Sequence, residues 1–124
     1  MERLANLRPL ILFVSGLMGS SGVALAAAAS HGGDTHFLGS ASTMCLAHAP
    51  VLLALCLGHA ALRTAMPAAL VLALGTILFA ADLVSRHYLG DRVFPLAAPL
   101  GGSMMILGWL IIAAGAFLRT RSIR

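Results

Sequence analysis

Five histidines and two cysteines are the side chains in this 124-residue chain best equipped for chemistry. Cys45-Leu46-Ala47-His48 recurs eleven residues later as Cys56-Leu57-Gly58-His59. On a helix of 3.6 residues per turn the four side chains fall on roughly one stripe, with about 16 Å between the pairs. Each pair is an i, i+3 Cys/His couple of the kind that binds zinc or haem iron. A closed zinc site takes four ligands and a catalytic one three. The separation excludes one shared metal and a Cys45–Cys56 disulfide. Polar packing is the plainer reading, so no metal or other cofactor is expected.

Asp82 and Arg86 stand i, i+4, the spacing of an ion pair that lowers the cost of a carboxylate among apolar residues. Topology adds neighbours to them. His31, Cys45, His48, Asp82, Arg86 and His87 are expected toward the outer ends of their helices, as one polar layer. Such a layer suits a proton, a metal ion or a small ligand; its bland alternative is interhelical hydrogen bonding that sets helix register. No phosphate-binding glycine loop, hydrolytic acid pair or nucleophile signature is present. Both cysteines lie in apolar sequence rather than the electropositive setting of a reactive thiolate. The chain is therefore expected not to be an enzyme.

The elements that must position these residues are four apolar stretches, 9–30, 42–62, 66–85 and 94–118. Hydrophobic residues make up 60% of the chain and charged residues 10%, against about 25% charged in soluble domains. Roughly 20 apolar residues in a helix cross a bilayer, and Asp82 is the one charged residue within these stretches. The expected fold is all-α: a single domain, 1–124, forming an integral membrane bundle of four transmembrane helices. All eight basic residues are arginines. Arg3, Arg8, Arg63, Arg119, Arg121 and Arg124 fall on one side and Arg86 and Arg92 on the other, which places both termini in the cytoplasm by the positive-inside rule. The basic balance thus has a lipid explanation, and no patch of arginines interleaved with aromatics calls for nucleic acid. The first stretch resembles a signal peptide in its charged start and its small residues at 24–29. Its apolar run is longer than a signal core, so retention is expected.

Small residues mark the packing faces. Ser15 with Gly19, and Gly16 with Ser20, have small-xxx-small spacing. Gly75, Gly101, Gly102, Gly108 and Gly115 are candidates for the same use. Pro50 removes one helical hydrogen bond, so a kink is expected there. Pro95, Pro99, Gly101 and Gly102 predict an irregular start to the fourth helix.

Leu74-Gly75-Thr76-Ile77-Leu78-Phe79, then Ala98-Pro99-Leu100-Gly101-Gly102 running on to Gly108-Trp109, resembles the small four-helix family called domain of unknown function 423. That family includes bacterial inner-membrane proteins and a eukaryotic relative, transmembrane protein 256. The resemblance runs over nearly the whole chain, and His31 and His48 fall where the family carries histidines. It implies a multi-pass protein of the bacterial inner membrane and no particular reaction. The leading expectation is an accessory or interaction subunit whose partners are the lipid bilayer and either another membrane protein or further copies of itself. A small oligomeric transporter or channel is the alternative, and a metal- or haem-handling protein using His48 and Cys45 comes third.

Overall fold

The computed structural model describes residues 2–32 and 35–118. Arg119, Arg121 and Arg124, half of the arginines assigned to the termini's side, lie outside the described residues. The chain is all-α: a single turn α1 (Glu2–Ala5), then α2 (Arg8–His31), α3 (His36–Leu57), α4 (Ala65–Leu89) and α5 (Ala97–Gly115). The last four are long and apolar enough to cross a membrane.

Their bounds differ from the apolar stretches where polar residues tolerate helix. α3 starts at His36 rather than residue 42, and within its first turns Thr43 Oγ1 donates to the Gly39 carbonyl at 2.9 Å. It ends at Leu57 rather than residue 62. The Gly58 N–H still reaches the Ala54 carbonyl, but the N–H groups of Ala61 and Leu62 turn back to the Gly58 carbonyl. His59 therefore leaves the helix, and the two Cys/His pairs do not share one helical stripe. α3 is continuous through the outward-facing Pro50. α4 continues past Ser85 and takes in Arg86 and His87, stopping where Gly90 adopts φ +72°, a left-handed conformation that glycine adopts without penalty. α5 starts at Ala97, so Pro99 falls in its first turn, where a missing N–H leaves no helical bond unmade. The expected irregularity sits just before it, at Leu96, whose φ is +69°.

Successive helices run antiparallel. α2 packs on α3, α3 on α4 and α4 on α5, with a light α2–α4 contact. α3 and α4 form the middle of the bundle and are more buried than α2 and α5. The α2 start meets the α3 end through Arg8 and Cys56, and the α5 end meets the α3–α4 turn at Leu62 and Thr64. Both lie at what is termed the Arg63 end; the opposite one is the His31 end. The central contacts are apolar: Leu52, Leu72, Ala68 and Ala69 are fully enclosed. Polar links hold the helices where methyl burial in lipid gives little drive. Ser15 Oγ donates to the Ala49 carbonyl at 2.8 Å and Ser42 Oγ to the Gly22 carbonyl at 2.7 Å, both from α2 to α3 or back.

Candidate functional site

The residues expected in one polar layer do not all share one level. His48, on α3, is 5% exposed. Its Nε2 accepts the indole N–H of Trp109, on α5, at 3.1 Å, and its Nδ1 lies 2.8 Å from the Met44 carbonyl. The rings meet edge to face, centroids 5.9 Å apart. Indole only donates, so the Nε2 lone pair is the acceptor and the ring proton sits on Nδ1, donating to Met44. Both nitrogens are satisfied.

Asp82 and Arg86 lie nearer the His31 end. The Arg86 guanidinium stacks 4.5 Å over the Phe37 ring, which puts Phe37 and Arg86 at one level. From Phe37 to His48 is eleven residues along α3, about 16 Å at 1.5 Å per residue; from Arg86 back to Asp82 is one turn, about 6 Å. His48 is thus about 10 Å deeper than Asp82, and not in its layer.

Asp82 is fully buried, and its job in the fold is visible. After Gly90 the chain folds back along the last turns of α4. The Val93 N–H donates to Asp82 Oδ1 at 2.9 Å, and Ser85 Oγ donates to the Asp91 carbonyl at 2.8 Å. Non-helical backbone at membrane depth needs such partners, because lipid offers none. Asp82 Oδ2 has no hydrogen-bond partner. Arg86 Nη1 stands 4.0 Å from it, at the limit of an ion pair, with the Arg86 side chain 28% exposed. The i, i+4 pairing expected from spacing is present, but it leaves one buried oxygen underbonded.

His31 and His87 stay with Asp82 and Arg86 at the His31 end, while Cys45, and Cys56 outside the expected layer, lie elsewhere. Cys45 packs toward Gly22 of α2 and floors a groove between α2 and α4, whereas His48 turns to α5. Cys56 Sγ donates to the Arg8 carbonyl at 3.6 Å, at the Arg63 end. His31 is exposed in the last turn of α2. His87 lies against Tyr88, ring centroids 4.7 Å apart. Among the described residues no three His, Cys, Asp or Glu side chains converge as a metal would require.

A glycine seam positions Trp109. Gly101, Gly108 and Gly115 recur at seven-residue steps on the α5 face that meets α4 and the turn before it. A Cβ placed on Gly101 would lie 2.7 Å from the Gly75 carbonyl oxygen and 2.7 Å from the Phe79 nitrogen. One placed on Gly108 would strike the Leu72 side chain at 2.5 Å, and one on Gly115 would strike Thr64 and Leu62. The Leu74–Phe79 and Ala98–Gly102 segments, far apart in sequence, are the two walls of this seam. The family model described as protein of unknown function (DUF423) matches residues 24–102. The chain belongs to this family. No solved structure matches it.

The DUF423 match takes in His31, His48, Asp82, Gly75 and Gly101. It is shorter than the likeness expected from the sequence: Gly108 and Trp109, placed there in the family signature, lie beyond it, as does the first half of α2. Among the glycines singled out, Gly75, Gly101, Gly108 and Gly115 make close approaches. Gly19 lies in ordinary contact with the Ala49 Cβ at 3.7 Å, while Gly16 and Gly102 meet nothing within 4 Å. Those two are not packing positions within this chain. Gly22 is one: a Cβ there would come within 2.7 Å of the Leu46 side chain. What sequence reasoning missed is the pairing of Trp109 with His48. Half of the signal was available, since a donor-only indole in an apolar helix calls for an acceptor; that His48 lies at its depth follows only from the observed starts of α3 and α5.

Proposed function

We propose that this DUF423 protein is a non-catalytic, multi-pass protein of the bacterial inner membrane that binds another transmembrane segment as an accessory subunit. The observation that carries this reading is a groove of about 750 Å³ between α2 and α4. Val14, Leu17 and Ser21 form one wall, Ile77 and Ala81 the other, and Cys45 the floor. Small residues beside an apolar trough, here Ser21, Ala24 and Ala81, let a further helix approach closely. The arginine distribution supports both termini lying in the cytoplasm. Co-purification from native membranes in mild detergent tests the reading. A stoichiometric membrane partner is expected, and Ala81→Phe is expected to release it while the folded yield holds. Recovery of the chain without a partner, from membranes in which it is abundant, counts against it.

A small oligomeric transporter is the second reading, favoured by one observation: the buried Asp82 Oδ2, which has no hydrogen-bond partner. Intramembrane carboxylates mark ion pathways often enough to test. Proteoliposome flux that Asp82→Asn abolishes would replace the accessory role; no flux leaves Asp82 as the support of the α4–α5 connection.

A further inference from the structure

We propose that the His48–Trp109 hydrogen bond is a proton-sensitive latch between α3 and α5. The latch requires a neutral imidazole. Trp109 supplies only a donor, and His48 Nδ1 already gives its proton to the Met44 carbonyl. A second proton has one place to go, the Nε2 lone pair that Trp109 occupies. Imidazolium is a donor at both nitrogens, so turning the ring over does not restore the bond. Protonation of His48 and closure of the latch exclude each other.

Among the described residues no charged side chain lies beside the ring to offset a proton, and those of α2, Arg8 and His31, stand at its two ends. α5 carries no titratable side chain from Ala97 to Gly115. On α4 the titratable groups are Asp82, Arg86, His87 and Tyr88, all toward the His31 end. On α3 itself the nearest is Cys45, which packs toward α2, while His36 and Cys56 lie in its first and last turns. Imidazolium formed here has no counter-charge at membrane depth, where an unpaired charge is costly, so it is stable only once Trp109 has moved aside and water has entered.

The surroundings permit that movement. Trp109 is 45% exposed, so its ring can leave His48 without displacing core side chains. The glycine seam on α4 and the 3.0 Å bond from Thr64 Oγ1 to the Ile111 carbonyl hold α5 in place when the latch opens. A groove also approaches the latch along α3, ending short of His48 itself. Of about 430 Å³ and lined by Thr35, Ser40, Thr43, Met44 and Phe79 among others, it follows α3 from its first residues down to Met44, the residue whose carbonyl binds His48. That run is nine residues, about 14 Å, along a wall of hydroxyls.

Trp109 is the one tryptophan in the chain, so its signals report the latch alone. In nanodiscs, progressive acidification from alkaline pH is expected to shift Trp109 emission reversibly in a single step. The hydrogen-bonded indole N–H resonance is lost in the same step, and the helical circular-dichroism signal is unchanged. His48→Gln keeps an acceptor without a titratable ring, and is expected to hold the alkaline emission at every pH. A flat titration in the wild-type protein, the same step in His48→Gln, or a loss of helical signal coinciding with the step would each overturn the proposal. Should His48→Gln fail to fold, the imidazole resonances of wild-type His48 decide: their titration must coincide with loss of the indole signal.

Discussion

Gly75 and Gly101 face each other across α4 and α5 so closely that a Cβ on either would lie within 2.8 Å of the other's carbonyl oxygen. Backbone meets backbone at this point, and no rotamer change can relieve an added methyl group. In lipid, where methyl burial gives little drive, such close approach is a principal source of helix association.

Gly101→Ala is therefore expected to destabilise the bundle by about 1–3 kcal/mol, the usual cost of overpacking. Its neighbour is the control. Gly102 has nothing within 4 Å of an added Cβ, so Gly102→Ala is expected to be neutral, or stabilising by about 0.5–1 kcal/mol from better helix propensity. Unfolding by denaturing detergent, followed by circular dichroism, measures both. Equal effects at the two positions would mean the seam is not the α4–α5 interface.

Asp82 holds the returning chain through the Val93 N–H. Asp82→Asn preserves an acceptor and removes a buried charge, and is expected to leave stability within about 1 kcal/mol of the parent. Asp82→Leu strands the amide and is expected to cost about 1–3 kcal/mol. Hydrogen exchange at Val93 separates the two: fast in the leucine variant, protected in the asparagine variant. Protection in both would remove Asp82 from the support of this connection.

Two serines bridge α2 and α3 while a third serves only its own helix. Ser15 and Ser42 donate to carbonyls across the interface, whereas Ser20 donates to Gly16 of α2. Ser15→Ala and Ser42→Ala are each expected to cost about 0.6 kcal/mol and at most about 1.7, and Ser20→Ala nothing measurable. The same detergent unfolding reads all three.

Removing the Trp109 donor while keeping an aromatic ring isolates the α3–α5 link. Trp109→Phe is expected to cost about 0.6–1.7 kcal/mol, the range for interhelical hydrogen bonds in membranes. In a double-mutant cycle with His48→Leu the two effects should be strongly non-additive, because the bond is lost once only. Additive effects would show that the rings contribute independently.

Much of the architecture was readable residue by residue. Four long apolar runs with charges at their ends permit few arrangements other than four helices, and the Asp82/Arg86 spacing announced its pairing. The bounds moved where local chemistry outweighed hydropathy. α3 reached back to His36 through polar residues that hydropathy had left out, and Gly58 cut it short of His59. His48 fell out of the expected polar layer for a different reason. Helical position along the chain gives depth only when the start of each helix is known, and α3 began six residues early, leaving His48 about 10 Å deeper than Asp82.

The amino-acid sequence by itself determined that the helices form, roughly where they end, and that glycines and serines mediate their contacts, because these follow from local composition and periodicity. Only the tertiary structure decided which glycine meets which backbone, that Cys45 and His48 serve different neighbours, and that Trp109 closes on His48. Those choices depend on the rotation and axial shift of each helix against the next. Rotation and shift are set by the close approach of residues distant in the chain, Gly75 with Gly101 and Ser42 with Gly22, and no local pattern encodes that pairing.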